Sequence, residues 1–215
     1  MKSIVKKAKP VRRRLSEGER RSQILQAAFA IALRDGLEAV TARSVGKEAG
    51  LSQGLVFFHF TSAEGLMDAL IAEVTEATLA AAEPATSAER GDPAGPFGAF
   101  LADRLVSLDQ EGSRRILELM VEAWVAGLRM PGARESVRRA AERYRAALAP
   151  MAEVAIAAQP ERFASVSPSA LASLALSVLL GTAIQATIEP HRFDRAAVRA
   201  AVLAVFAPGR PPRRR

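Results

Sequence analysis

Residues 41–60 read TARSVGKEAGLSQGLVFFHF, and few folds can accommodate them. Thr41 offers a hydroxyl that can cap a helix, Gly50 a break about two turns later, and Ser52 a second cap. The second segment is too short to bury a face by itself, and it ends in the packed aromatic run Phe57-Phe58-His59-Phe60. Two short helices joined by a tight glycine-containing turn are the geometry that sets the second helix in a DNA major groove.

The flanking sequence supplies the rest of a small core. Ser16-x-x-Glu19 is a capping box that opens a helix from about Ser16 to Arg34, with Gly36 placed to stop it. Ile24, Ala28 and Ile31 give that helix a broad apolar face, toward which the second helix turns Val45 and Ala49. Leu55 or Val56, together with Phe58, is expected to close a three-helix core, with Phe58 and Phe60 inside. A fourth helix begins at Thr61 or Ser62, Thr61-x-x-Glu64 being a further capping box, and runs through Leu66, Leu70 and Val74 to about Glu83.

Residues 84–96 have the composition of a linker. Beyond them the apolar spacing predicts a helix from near Pro96 with Phe97, Leu101, Arg104 and Leu108 on one stripe. Gly112 reads as a break. A helix with Leu117, Met120, Val121, Trp124 and Leu128 follows, ending before Pro131. A long helix carries Val137, Ala141, Tyr144, Leu148, Met151 and Ala155, and Pro150 is expected to kink it. Ser167-Pro168 opens another helix and Asp194 caps the last. No useful period-2 alternation occurs, and aromatic residues are only 5% of the chain, which favours an all-α fold. The expected organisation is a basic arm (1–15), a helix-turn-helix domain (16–61), a helical ligand-binding and dimerisation domain (62–209) and a basic tail (210–215).

Charge is unevenly placed. Of the formal net +7, residues 1–21 hold nine Lys or Arg against Glu17 and Glu19, and residues 210–215 add four Arg. The remainder is net acidic. A basic arm beside a helix-turn-helix suits a polyanion, because each neutralised phosphate releases counterions. A solubility tail is the alternative reading of the same run.

Two segments imitate membrane signals. The basic start before Ile24–Leu33 resembles a signal peptide, but Glu17 and Glu19 interrupt it. Ala170–Ile188 is uncharged and long enough to span a bilayer, yet it is rich in Ala, Ser, Thr and Gly, which suits a buried helix at a subunit interface better. No membrane partner is expected. The chain has no cysteine, so disulfides and thiolate metal sites are excluded, and a cytoplasmic location is compatible. With two histidines and no phosphate-binding loop, zinc-protease or nucleophile-elbow motif, an enzyme is not expected, nor is a cofactor or metal. An architectural DNA-binding protein without ligand control remains an alternative.

The pattern ILQAA (24–28), Gly36, TARSV (41–45), AGLS (49–52) and GLVFFHF (54–60), followed by SAEGL (62–66), resembles the tetracycline-repressor (TetR) family of bacterial transcription regulators. The phrase SQGLVFFHF is also similar to the choline/betaine-type repressors of that family, without assigning a ligand. Three departures stand out. Phe57 occupies a place where members often have Tyr, so a phosphate-binding hydroxyl is missing and only a thymine methyl or sugar can be touched. Leu55 stands where Thr is frequent. The Lys common just after HF is absent, with Thr61 and Ala63 there instead.

The resemblance implies a repressor that binds a palindromic operator as a homodimer and is released by a small, largely apolar effector. Carried over by position, Thr41 and His59 are phosphate contacts and Arg43 a phosphate or base contact. Ser52, Gln53, Gly54 and Phe57 lie where the recognition helix meets the groove. Gln53 has the chemistry to pair with adenine N6 and N7, or it is simply an exposed first-turn polar residue. His59 could instead serve a core hydrogen bond. The implied effector walls are Leu101, Arg104, Leu105, Met120, Trp124, Leu128, Tyr144 and Met151. Arg104 on an apolar stripe either meets an anion or snorkels to water, and Trp124 could be plain core. The fourth helix would link the two domains. The implied dimer face comprises Leu171, Leu174, Val178, Thr182 and Gln185 with Val198 and Val202.

Overall fold

The computed structural model describes residues 15–80, 95–107 and 110–206. The basic arm, the tail and most of the expected 84–96 linker lie outside the described residues, as does Leu108. Among those described there is no strand.

Helix α1 (Glu17–Asp35) opens on the expected capping box: Glu19 N–H donates to Ser16 Oγ at 3.2 Å and Ser16 N–H to Glu19 Oε2 at 2.7 Å. The Ser16 backbone N–H foremost, and the Ser16 hydroxyl after it, hold the Glu19 carboxyl below its ordinary range. A single 3₁₀ turn (Leu37–Ala39), not anticipated from the sequence, leads into α2 (Ala42–Ala49). Thr41 caps α2, and Gly50 ends it in the left-handed conformation (φ 67°, ψ 35°) that favours glycine. Helix α3 (Gln53–Phe60) is capped by Ser52, whose Oγ accepts from Leu55 N–H. Gly46 sets how closely these two helices meet, since a Cβ there would lie 2.9 Å from the Leu51 carbonyl oxygen.

Ile24, Ala28 and Ile31 of α1 close on Val45, Val56 and Phe60, with Leu66 and Leu70 beneath. One expectation fails here. Phe58 is not core but 75% exposed, and Phe60 fills the place instead. Val56 and Phe60 are four residues apart and share a helical face, while Phe58 projects from the other side. Ala49 is only half-buried.

Helix α4 (Ala63–Ala80) is capped not by Thr61 but by Ser62, whose Oγ accepts from Gly65 N–H at 3.0 Å. Thr61 sits at φ 63°, a conformation rare for a β-branched residue, at a joint where α3 and α4 bend by 70°.

The body is built from α5 (Gly95–Ser107), α6 (Glu111–Arg129), α7 (Pro131–Ala158), α8 (Pro168–Ile188) and α9 (Arg195–Phe206). Gly112 lies in the first turn of α6 rather than breaking the chain, because the break falls just upstream. Helix α7 is continuous through Pro150. Ser167 and Asp194 cap α8 and α9 as expected, accepting from Ala170 and Ala197 N–H. Helix α8 packs on α7, α6 and α5, and α9 on α5, where the Phe97 and Phe206 rings meet at 5.3 Å. By length and composition α8 could cross a bilayer, but much of its surface is buried inside this body.

Candidate DNA-reading surface and effector cavity

Burial divides α3 into two sides. Val56 and Phe60 face the core, while Gln53, Gly54, Phe57 and Phe58 are exposed. Thr41 at the cap of α2, Arg43 and Lys47 on α2 and Ser52 in the turn are exposed as well, so two cations and several hydrogen-bonding groups border the free side of α3. His59 is half-buried, with its ring edge-on to Phe58 at 5.2 Å between centroids. Thr41 is already engaged in its own cap, exchanging hydrogen bonds with Ser44 at 2.9–3.0 Å.

Two residues of α1 hold this surface in place. Arg21 donates from Nη1 to the His59 carbonyl oxygen at 2.6 Å, and its guanidinium lies 4.1 Å over the Phe60 ring. A cation thus satisfies the C-terminal end of α3, where carbonyls point outward. Gln23 donates from Nε2 to the Ala49 carbonyl oxygen at 3.0 Å and ties down the end of α2. Sequence reasoning counted Arg21 only as part of the basic block. Its position one turn before Ile24 and Leu25 was the available signal, but its partner is 38 residues away.

A second set of bonds joins α1 to the body. Arg115 of α6 donates from Nε and Nη2 to the Leu33 carbonyl oxygen at 3.0 and 2.8 Å, and from Nη1 to Glu118 at 2.7 Å. Glu122 accepts the Leu37 N–H at 2.7 Å. Helix α4 is latched to α7 separately: Ser136 Oγ donates to Asp68 at 2.6 Å, Arg139 also pairs with Asp68, and Arg143 grips Glu76 with two bonds at 3.0 and 3.2 Å.

The same α6 forms part of the wall of a cavity of about 40 Å³. Leu79, Phe100, Ile116, Leu148, Leu176 and Leu179 give it a largely apolar lining, interrupted by Arg104, Tyr144 and three small hydroxyl residues. Of the eight expected wall residues, Arg104 and Tyr144 border this cavity. Leu101, Leu105 and Met120 are buried core elsewhere, and Trp124 and Met151 are half-buried away from it. Leu128 is 76% exposed near the end of α6 and does not border this cavity. Burial lifts the Tyr144 hydroxyl pKa to about 12, an effect the neighbouring Thr78 and Thr75 hydroxyls reduce.

The residues of the expected dimer face are unevenly exposed in the protomer. Leu171, Thr182 and Val202 are buried within their own protomer, and Val178 and Val198 are half-buried. The outer face of α8 instead presents Leu174, Ser177, Ile184, Gln185 and Ile188, and Val205 of α9 is exposed as well.

Comparison with known proteins agrees with this architecture. The family profile for bacterial regulatory proteins of the tetR family matches residues 24–70, and that for the C-terminal domain of BetI-type transcriptional repressors matches residues 100–207. The nicotine-responsive transcriptional repressor HdnoR of Paenarthrobacter nicotinovorans is 36% identical over 63 residues, which are 29% of this chain and 32% of that protein. The match thus spans about a third of the length of that curated relative. Among solved structures, the multidrug binding protein EbrR in complex with imidazole is 27% identical, with a TM-score of 0.61 over 91% of this chain and 98% of that one. A TetR-family regulator from Rhodococcus sp. shares the fold at 18% identity, with a TM-score of 0.70 over 88% of this chain and 97% of that one. Helix-turn-helix and helical body both carry the family pattern, and the chain belongs to the TetR family of bacterial regulatory proteins.

Proposed function

We propose that this chain is a cytoplasmic transcriptional repressor that binds a palindromic operator as a homodimer and leaves it when a small effector enters the cavity. The observation that carries the reading is the free side of α3, where Gln53, Gly54 and Phe57 are exposed beside Arg43 and Thr41 on a three-helix core. The small groups at the start of α3 allow close approach to DNA. Gln53 pairs with adenine, Arg43 meets a phosphate or base edge, and Thr41 and His59 meet phosphates. Phe57 and Phe58 touch sugar or a thymine methyl.

The effector half of the reading is supported by the position of α6. Ser113, Ile116 and Leu117 border the cavity, while Arg115 and Glu122 on the same helix hold the end of α1. A ligand that displaces α6 therefore moves the reading head directly, alongside any shift of α4. A nicotine-responsive relative and a ligand-bound EbrR structure support an effector without identifying it.

Selection of binding sites from random duplex DNA tests the reading. The expected product is an inverted repeat with half-sites about one helical turn apart, roughly 34–36 Å. Gln53→Ala should then cost about 1–3 kcal/mol on that site and much less on random DNA. Binding without sequence preference would make the protein architectural, and equal loss on both DNAs would remove Gln53 from base reading.

A further inference from the structure

Resting on the DNA-reading proposal above, we propose that Phe58 is a thymine reader, its ring packing on the 5-methyl group in the major groove. Phe58 is 75% exposed, and its neighbour Phe57 is 37% exposed. Val56 and Phe60 are buried in the three-helix core. Phe58 is two positions from each of them, which sets its ring on the opposite side of α3. Gly54 lies one helical turn before Phe58 and so shares its face. A Cβ at Gly54 would meet nothing within 4 Å. The side of α3 farthest from the core is therefore a bare glycine followed by a phenyl ring. When a helix lies in the major groove, that outermost side meets the base edges, while its flanks meet sugars and phosphates. Arg43 and Lys47, exposed on α2, supply positive charge for the phosphates.

Chemistry then selects the base. A phenyl ring has no hydrogen-bonding atom. The floor of the major groove presents donors and acceptors on every base pair but a single apolar group, the thymine methyl. A polar base edge beneath the ring would lose water without gaining a partner, whereas a methyl loses nothing and buries apolar surface on both sides. Sugars run along the backbone, at the flanks rather than under this ring. The ring is also braced. The His59 ring stands perpendicular to it, with centroids 5.2 Å apart, and Arg21 donates to the His59 carbonyl oxygen at 2.6 Å. A side chain held before DNA arrives gives up less freedom on binding. Gln53, exposed at the start of the same helix, has the complementary chemistry for adenine N6 and N7. Together Gln53 and Phe58 make α3 a reader of A·T pairs, one through hydrogen bonds and the other through a methyl group.

The test uses the full chain and the operator obtained by site selection. Each thymine of a half-site is replaced in turn by deoxyuridine, which removes the methyl and keeps every hydrogen-bonding group. Fluorescence anisotropy of the labelled duplex reads affinity. At one thymine or more, the replacement should weaken wild-type binding about fourfold per methyl removed. Phe58→Ala should bind the thymine and deoxyuridine forms of that operator equally, so that the two changes are not additive. The ring lies outside the core, so this variant keeps its fold, and helical circular dichroism checks that it does. The inference is overturned if no replacement weakens binding, if the discrimination survives in Phe58→Ala, or if the half-site contains no A·T pair. A chain that selects no operator would sink the repressor reading separately. Alternating dA·dT and dA·dU duplexes then decide on Phe58. A preference for dA·dT that Phe58→Ala abolishes keeps the ring as a thymine reader, and equal binding of the two duplexes removes it.

Discussion

At the scale of single residues, two phenylalanines on either side of His59 separate the exposed side of α3 from its packed side. Phe60 is buried beneath the α1 core and under the Arg21 guanidinium, whereas Phe58 lies in water one turn position away. Phe60→Ala should cost about 3–5 kcal/mol of stability, and Phe58→Ala less than about 0.5 kcal/mol. Urea denaturation reads both, and a large loss for Phe58→Ala would return that ring to the core. Tyr144 is the only tyrosine in the chain, so tyrosinate absorbance follows it alone. Burial, the largest cause, raises its pKa from an ordinary 10.0 to about 12. The folded value is raised, so the stability linked to it is full below the unfolded value and is lost as pH rises through the folded one. Between pH 10 and about 12 this loss should amount to about 2–3 kcal/mol, and Tyr144→Phe should abolish it. A tyrosinate midpoint near pH 10 would mean that the hydroxyl is solvated. The capping residues Ser16, Thr41 and Ser52 were legible in the sequence because a cap depends only on neighbours within three positions. Phe58 was misread because an all-aromatic run carries no phase of its own.

At the scale of helices, α6 faces two ways. Cavity residues alternate along it with Arg115, Glu118 and Glu122, which hold the end of α1 and each other. Arg115→Met should lower overall stability by about 1–2 kcal/mol, since two bonds to Leu33 O are lost from a partly exposed site. The more informative effect is on coupling. With the clasp open, saturating effector should change operator affinity by a smaller factor than in the wild type, and operator should change effector affinity by that same smaller factor. Anisotropy titrations in both directions measure the two factors, and an unchanged pair would leave α4 as the sole route. Helix order and most boundaries could be read from caps, prolines and apolar spacing. The clasp could not, because Arg115 and Leu33 are 82 residues apart and nothing local marks them as partners. Gly112 was mistaken for a break for the opposite reason. A glycine costs little in a first helical turn, where backbone N–H groups have no intrahelical partner anyway.

At the scale of the whole molecule, the proposed homodimer would be formed by the outer faces of α8 and α9, which would bring two reading heads to DNA. Helix α8 is apolar nearly all round, so its spacing alone could not say which stripe turns outward. Leu171 and Thr182 proved to face inward, and Leu174, Ile184 and Ile188 outward, with Val205 of α9 also exposed. A protomer alone would leave these side chains in water as an apolar patch, whereas a second copy would bury them. Leu174→Asp should place an unpaired charge in that contact and yield monomers in sedimentation velocity. The side chain is already half exposed in the protomer, so helical circular dichroism should be retained. Operator affinity should fall steeply, because two linked heads bind as one unit and a free head gains no effective concentration from its partner. Leu171→Ala is the contrasting case. It should destabilise the protomer by about 2–5 kcal/mol by opening a cavity, without changing association at temperatures where the chain is folded. Dimers that survive Leu174→Asp, or monomers produced by folded Leu171→Ala, would move the interface off this face.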